Sequence, residues 1–441
     1  MRRLIPLAAL LMLATMFAPH SRAAEDENTY PVAVRWWGQS MISIENWWGF
    51  SVVIDPYSLE IGYDDPKIEA NTVCVSHDHF DHSNTEIVLG EHDVFYGIRH
   101  QGRPPHKMSR LSPPGAIHRE DNADAMTRDL SMGEISITPI ESFHDNKQGD
   151  DLGKNAMFLV EADGVRILHC GDLGQHQLTD EQLEQIGEID VLCVPVGGVY
   201  TIDGAQAVAI VEQIQPRIVV PIHFKTKPLI IALDTIDPFL KALPDKYTRV
   251  RPAGNTLAVS TAGGATRDNP QVVLLNYKPW EMPEEIAELL DAKEAASKLS
   301  QSTFEKLRTD QLNHKPSNGT HTPRWNAEHM LSAELFFFSK IYAEADPAIA
   351  PIPLFPQQMP PDYVAAHPDW HGIDEAMQMQ RVQDFTRRFA YLLDGMPLDE
   401  LPEGGVPFFG DLRGLFKQME SHYGEHTAHV HTKTEQEDWP E

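Results

Sequence analysis

The stretch HDHFDH occupies residues 77–82 and directly follows the apolar run TVCVS at residues 72–76. Four candidate metal ligands within six residues cannot share one face of a helix or of a strand, because helix faces repeat every three or four residues and strand faces every two. Imidazole nitrogens and carboxylate oxygens are ligands that zinc and related divalent ions accept in proteins. The stretch therefore predicts a loop that folds around metal at the end of a strand.

Three further candidate ligands also follow runs of the strand type. His144 comes after residues 135–140, Asp172 lies in HCGD at 169–172, and His223 comes after residues 218–222. Chemistry in layered α/β folds collects on the loops at strand ends. Other runs of the same type lie at 41–44, 51–54, 156–161, 166–170 and 191–196. We therefore predict an α/β domain over residues 31–264.

The order HxHxDH, then His, Asp and His, resembles the metallo-β-lactamase superfamily, and the resemblance covers residues 31–264. It implies an αββα sandwich that binds two divalent metal ions, with zinc expected and manganese or iron as alternatives. The resemblance implies that one ion is held by His77, His79 and His144. It implies that the second is held by Asp81, His82 and His223, with Asp172 bridging the two ions.

The ligand set implies hydrolysis by a metal-bridged hydroxide. Two divalent ions lower the pKa of a shared water towards 7 and polarise the oxygen of the bond that is attacked. Asp81 and Asp172 are the candidate catalytic carboxylates, because either can orient that hydroxide. Asp78 has two interpretations, as acceptor of the second N–H of a ligating histidine or as a residue that faces solvent. Asp55, in VIDP at 53–56, matches an early acidic position of the family that is usually not a ligand.

The substrate is less well specified. The segments RWWGQS at 35–40, VPVGG at 194–198 and VPIHFK at 220–225 resemble the branch with ascorbate-6-phosphate lactonase and N-acylphosphatidylethanolamine-hydrolysing phospholipase D. That branch implies a small-molecule substrate with an ester, lactone or phosphodiester bond. Lys225, beside His223, is a candidate for binding an anionic group, and a solvated lysine is the alternative. A true β-lactamase is the less favoured possibility, because only the shared metal motif supports it.

The second half of the chain is predicted to be an all-α four-helix bundle at residues 283–431, after a linker at 265–282. Helical periodicity replaces the strand runs there, with helices expected at about 283–308, 325–344, 373–394 and 409–430. The polar and acidic residues 432–441 are predicted to be disordered.

A second metal site is predicted inside this bundle. His422 and His426 are spaced i, i+4 and continue an apolar helix face, so both point into the bundle. With His329 they resemble the DinB-like four-helix bundles, and the resemblance implies a third divalent ion held by three histidines. His429 is an alternative ligand, and buried core histidines without metal are the alternative interpretation. The competing function is a metal-binding or thiol-transferase protein that acts through this bundle.

The N-terminus predicts export to the periplasm or the medium. Residues 1–23 combine two arginines, an apolar stretch at 4–18 and small residues at 21–23, the order of a cleavable signal peptide. A transmembrane anchor is the alternative, but the apolar stretch is shorter than the about 18 to 20 residues that a span needs. We therefore expect no stable membrane anchor.

Charge and cysteine content restrict the partners. The formal net charge of −29 repels nucleic acid phosphates, so no nucleic acid partner is expected. Three cysteines cannot all pair, and we expect buried side chains with one disulfide at most. The sequence does not determine an oligomeric state.

Overall fold

The computed structural model describes residues 30–102, 104–105, 109–111, 135–261, 263–356, 358–359 and 362–440. The predicted export signal at residues 1–23 lies outside these ranges. Within them, no helix has both the length and the apolar content that crossing a bilayer requires.

The first domain is built on two β-sheets. Strands β1 to β14 span Val32–Gly38, Met41–Glu45, Ser51–Ile54, Thr72–Val75, Asp93–Tyr96, Ser109–Leu111, Ile135–Phe143, Lys154–Ala162, Val165–His169, Val191–Pro195, Ile218–Ile222, Thr248–Val250, Thr256–Val259 and Gln271–Val273. One sheet has the order β13-β1-β2-β3-β4-β5, and the other has the order β12-β14-β11-β10-β9-β8-β7-β6. The two sheets pack face to face through fully buried aliphatic side chains such as Val34, Ile42, Val160 and Val191.

Three short helices cover the outer face of the second sheet: α1 (Asp180–Ile186), α2 (Gly204–Ile214) and α3 (Asp237–Ala242). Helix α2 shows why the sequence forms this layer. Asp203 caps its N-terminus in a capping box with Gln206, and the buried residues Ala207, Ile210 and Ile214 form one apolar face. The predicted αββα arrangement is confirmed.

Strand direction determines where the candidate ligands lie. Neighbouring strands β3 and β4 are parallel, and so are β9, β10 and β11. Their carboxyl ends therefore meet along one edge of the sandwich, which is where α/β folds bind ligands. The HDHFDH loop follows β4, Asp172 follows β9 and His223 follows β11.

The second half is helical, as predicted. Its helices are α4 (Glu284–Phe304), α5 (Thr309–Leu312), α6 (Pro323–Ala345), α7 (Gly372–Arg388) and α8 (Leu412–Thr434). Helix α4 packs against α7 and α8, and α6 packs against the same two helices. The four long helices therefore form a bundle, and α5 is a short helix beside α6.

A buried polar network connects the four long helices. Lys293 of α4 donates to Glu334 of α6 and to Gln383 of α7. The other Glu334 oxygen accepts from Gln383 Nε2 at 3.0 Å and from the Tyr423 hydroxyl of α8 at 2.9 Å. A buried ion pair whose hydrogen bonds are all made is costly to disturb from one side. The network therefore favours one register of the four helices.

Two predicted boundaries are wrong. Strand β14 lies inside the predicted linker 265–282 and pairs in parallel with β11 and β12, so the second sheet extends to Val273. A three-residue strand buried by its neighbours has too short a pattern to be detected in the sequence. The segment 432–440 is not disordered, because α8 continues to Thr434 and Asp438 accepts from the Ser317 amide at 2.8 Å.

The three cysteines are buried and free, so the optional disulfide does not form. Burial raises the pKa of the Cys193 thiol to about 12. They serve as small core residues, as predicted.

The bundle packs on the outer face of the first sheet. Ala33 of β1 and Ala258 of β13 belong to the same hydrophobic core as the bundle helices, together with Trp47. The Trp47 ring lies 5.8 Å from the ring of Phe385 in α7, and Arg388 Nη2 forms an ion pair with Glu45 at 2.5 Å. The bundle therefore supplies the outer helical layer over this end of the first sheet.

We predict that Trp47→Ala lowers the free energy of unfolding by about 3 kcal/mol, because it empties the core shared by the sheet and the bundle. Urea denaturation followed by circular dichroism measures the change. Leu299→Ala is the control, since Leu299 is 71% exposed on α4 and its truncation should cost less than about 0.5 kcal/mol. Equal costs for the two variants would contradict this account of the interface.

Candidate metal centre

The HDHFDH loop is shaped by a buried carboxylate on the preceding strand connection. Asp55, directly after β3, accepts from the Ser76 amide at 2.8 Å and from the Ser76 hydroxyl at 2.7 Å. The loop then turns so that the His82 amide donates to the His79 carbonyl at 2.9 Å. These bonds hold the loop at the end of β4 and turn its histidines towards the second sheet.

The structure brings all seven sequence-predicted ligands of the first domain together. Ligand atoms lie within 4.8 Å of one another in each of three groups, which are His77/His79/His144, His77/His82/Asp172 and Asp81/His82/His223. Asp172 is shared by the two sides of the cluster. Its Oδ2 lies 3.1 Å from His82 Nε2, 3.3 Å from the Nε2 atoms of His144 and His223, and 3.9 Å from His77 Nε2.

The cluster passes a direct test of fit to metal. Several buried polar atoms have no hydrogen-bond partner, namely His82 Nε2, both ring nitrogens of His144, His223 Nδ1 and Asp172 Oδ1. Buried polar atoms are nearly always paired, so a concentration of unpaired ones requires an explanation. Nitrogen and oxygen donors at these separations suit divalent ions such as zinc.

The electrostatics of the cluster favour a charged carboxylate at its centre. Burial raises the pKa of Asp172, but His223 and His82 outweigh burial and hold the pKa well below its usual value. Burial, with the nearby His82, holds the pKa of His77 well below its usual value. A carboxylate and a neutral imidazole are the forms that bind metal.

Outer contacts orient the ligands. His82 Nδ1 donates to Asp55 Oδ2 at 2.9 Å, which leaves His82 Nε2 turned towards Asp172. Gln39 Nε2 donates to Asp81 Oδ2 at 2.8 Å. Partners of this kind fix the tautomer and direction of metal ligands. Asp55 therefore has the orienting role that was one interpretation of Asp78.

Asp78 faces solvent, which was its other interpretation. Its side chain is about half exposed, and it accepts from His100 Nδ1 at 2.7 Å. Neither residue belongs to the metal-ligand groups of the described chain. Asp78 is therefore a natural control for substitutions at Asp55.

Asn155 is a positioning residue that the sequence did not indicate. Its Oδ1 accepts from the Asp172 amide at 3.0 Å, and its Nδ2 donates to the Cys170 carbonyl at 2.9 Å. Gly171 lies between these two residues with φ +53, and a Cβ there would lie 2.4 Å from Asn155 Oδ1. The turn that presents Asp172 thus needs a glycine. Asn155 sits inside a strand pattern, so no local signal marked it.

Lys225 binds carbonyl groups of its own loop, which differs from the substrate-binding role that the sequence predicts for it. Its Nζ donates to the carbonyls of Leu229 and Ile231, the latter at 3.1 Å. The ammonium therefore braces the loop after His223. Lys225 therefore does not support the prediction that the substrate carries an anionic group.

The three predicted histidines of the bundle also meet. Ligand atoms of His329, His422 and His426 lie within 4.8 Å of one another. His426 Nδ1 donates to Asn326 Oδ1 at 2.8 Å, which leaves Nε2 for another partner. The Nδ1 atoms of His329 and His422 are buried without a hydrogen-bond partner. The exposed His429 lies outside this group.

These bundle histidines are neutral at pH 7. Burial, with the neighbouring His422, lowers the pKa of His329 to about 3. Burial lowers the pKa of His422 to about 4, although Glu334 opposes the shift. Neutral imidazoles with unpaired nitrogens fit a divalent ion.

Comparison with known proteins identifies relatives of the first domain. Residues 33–223 match the family model of the beta-lactamase superfamily domain. A UPF0173 metal-dependent hydrolase of Geobacillus sp. (strain WCH70) is 30% identical over 242 residues, which are 50% of this chain and 97% of that protein. A UPF0173 metal-dependent hydrolase of Archaeoglobus fulgidus is 27% identical over 219 residues, 45% of this chain and 85% of that protein.

Among solved structures, a protein of the metallo-β-lactamase superfamily from Thermotoga maritima is 31% identical and covers 55% of this chain and 98% of its own, with a TM-score of 0.38. The fold, the ligand cluster and the sequence matches together define a metal-dependent hydrolase of the metallo-β-lactamase superfamily. Within that superfamily the chain belongs to the UPF0173 metal-dependent hydrolase family.

We predict that Asp55→Asn weakens metal binding by about 10- to 100-fold, because an amide in place of this carboxylate could no longer accept from both Ser76 and His82. Competition with a chromophoric chelator measures the affinity. Asp78→Asn, which removes an equal charge from the neighbouring loop after β4, should leave the affinity unchanged. A similar loss in both variants would indicate a general charge effect and contradict the orienting role of Asp55.

Proposed function

We propose that the first domain hydrolyses an ester, lactone or phosphodiester with two divalent ions, zinc first among them. The observation that carries the proposal is the position of Asp172 Oδ2, which lies within 3.3 Å of the Nε2 atoms of His82, His144 and His223. These side chains come from separate loops. Their convergence on one buried carboxylate supports a shared binding site for two ions.

The roles of the chain follow from its contacts. When bound, two divalent ions supply an acidified shared water and polarise the oxygen of the attacked bond. Asp172 holds the two halves of the ligand set together through its contacts with His144 and His82. Gln39 fixes the Asp81 carboxylate by donating to Oδ2, so that Asp81 can orient the attacking water and accept its proton.

The bond class rests on resemblance. The segments at 35–40, 194–198 and 220–225 resemble the branch with a lactonase and a phospholipase D. Gln39, which belongs to the first of these segments, donates to Asp81 at the proposed site. A panel of lactones, esters and phosphodiesters with metal-supplemented protein tests the proposal.

We predict that Asp172→Ala lowers turnover by at least about a thousandfold on any substrate of the panel, because the shared carboxylate is lost. His422→Ala is the control, since it removes a metal-site histidine from the bundle. Its turnover should stay near that of the wild type. Circular dichroism and metal content are measured for both variants.

Two results would contradict this assignment. One is near-normal turnover of Asp172→Ala. The other is loss of turnover in His422→Ala with an intact fold, which would assign the activity to the bundle and favour the metal-binding or thiol-transferase alternative.

We also propose that the bundle binds a third divalent ion, in the manner of the DinB-like bundles that its sequence resembles. The supporting observation is the group of His329, His422 and His426, in which the Nδ1 atoms of His329 and His422 are buried without a hydrogen-bond partner.

We predict that His426→Ala removes about one of three bound ions per chain, because it deletes one of three ligands. Elemental analysis of protein dialysed after metal supplementation gives the stoichiometry. His429→Ala lies one turn further along α8 and should keep the full content. An unchanged content in His426→Ala would show that these histidines are metal-free core residues.

Export remains part of the proposal on the strength of residues 1–23 alone, with their basic, apolar and small-residue order. N-terminal sequencing of the protein from its native host should give a start near Ala24 or Glu25. An intact N-terminus would contradict export by cleavage.

A further inference from the structure

Exposed apolar side chains are concentrated on loops at the edge of the sandwich that carries the metal ligands. Seven large apolar side chains are exposed on the described part of the first domain. Leu89 lies near the amino end of β4, where its amide donates to the Ile68 carbonyl, and the other six lie in the connections after the carboxyl ends of β3, β4, β7, β10 and β11. We call these six the apolar collar: Leu59, Phe80, Leu152, Val199, Tyr200 and Ile230. Single exposed apolar residues are ordinary on a surface, whereas a collected group marks a binding site.

Two collar residues are joined directly to the ligand loops. Phe80 is 57% exposed and lies between His79 and Asp81. Leu152 lies in the loop after β7, and the His144 amide donates to the carbonyl of the neighbouring Gly153 at 3.0 Å. Whatever contacts these side chains therefore lies beside the metal ligands.

The other collar residues are connected to the same loops by backbone hydrogen bonds. The Ser58 amide, next to Leu59, donates to the Phe80 carbonyl at 3.1 Å, and the Ile230 amide donates to the Ile61 carbonyl at 2.9 Å. The Val199 turn is joined to the loop after His223, since the Asp234 amide donates to the Gly197 carbonyl at 2.7 Å. The loops that carry Leu59, Phe80, Val199, Tyr200 and Ile230 are therefore joined to one another, and the loop that carries Leu152 is joined to the ligand His144.

Val199 adds a second, independent observation. It is 62% exposed and has φ +59, a left-handed conformation that a β-branched residue rarely adopts. Gly198, with φ +56, precedes it, so the chain is held in this conformation over two residues. Strain of this kind persists where the surrounding structure imposes it and is concentrated at functional sites. The strained turn presents Val199 and Tyr200 to solvent beside the metal centre.

Charge discriminates between possible occupants of the collar. The net charge of −29 opposes docking on an anionic membrane, and the nearby Lys225 ammonium is engaged by two carbonyls. A second copy of the chain on the collar would cover the metal centre that the substrate must enter. An apolar part of the substrate is not repelled by the net charge, and it does not block the substrate from the metal centre.

We propose that the apolar collar binds an alkyl or acyl chain of the substrate, so that the enzyme acts on amphiphiles whose scissile bond lies at the end of such a chain. This inference rests on the proposed function, because it places the chain beside the bond that the metal centre cleaves. Substrate binding then covers the apolar surface of the collar. A longer chain buries more apolar area and therefore binds more tightly.

The test uses the full chain, supplemented with zinc. We expect kcat/KM for 4-nitrophenyl octanoate to exceed that for the butyrate by about tenfold or more, since four added methylenes reach the collar. Val199→Asn and Ile230→Ser should reduce this ratio several-fold. Asparagine tolerates the left-handed conformation, so Val199→Asn is expected to fold. Leu299→Ser, an equally exposed position on α4, should keep the wild-type ratio.

A second measurement does not depend on turnover. Calorimetry should give a Kd for octanehydroxamic acid at least about tenfold below that for butanehydroxamic acid, and the two collar variants should narrow this gap. Equal affinities, or a gap that Val199→Asn and Ile230→Ser leave intact, would overturn the collar. A chain-length effect that disappears on dilution to monomer would assign the collar to a second copy and overturn it too.

These measurements distinguish failure of the proposed hydrolytic function from failure of the apolar collar. Chain-length-dependent hydroxamate binding without hydrolysis of either ester would support the collar and remove esters from the proposed function. Hydrolysis without any dependence on chain length would support the metal centre and overturn the collar. Failure to bind either hydroxamate would overturn both.

Discussion

The carboxylate of Asp172 is buried, and its Oδ2 lies within 3.3 Å of imidazole nitrogens on three different loops. A charge in that position is tolerated only if cations or donors compensate for its lost hydration. The histidines provide part of that compensation, and divalent ions would provide the rest. The parallel strands deliver these loops to one edge, so the sandwich as a whole serves to keep this carboxylate and its partners together.

The first-domain ligands could be predicted because each is a chemically unusual residue directly after a strand. Their orienting partners could not. The sequence marks Asp55 only as a family position, because its hydrogen bond to His82 arises from the meeting of two strand ends. Asn155 looks like any polar residue in a strand. The engagement of Lys225 with two carbonyls likewise depends on how the following loop folds back. Local motifs identify ligands, whereas contacts between distant segments decide what supports them.

The same distinction applies to the helical half. The four long helices were predictable from periodicity, but their attachment was not. Trp47 and Ala258 lie in the first domain by sequence and in the core of the bundle by packing. The bundle therefore covers part of the first sheet, and its removal would expose apolar surface of the hydrolase domain. Loss of activity after deletion of the bundle would for that reason not establish a catalytic role for it.

The most direct test of the proposed two-ion centre is anomalous diffraction at the zinc absorption edge from crystals of the zinc-supplemented protein. We expect two anomalous peaks that share Asp172 as a ligand. One should be coordinated by His77, His79 and His144, and the other by Asp81, His82 and His223. Anomalous density confined to the bundle, with none beside Asp172, would contradict it.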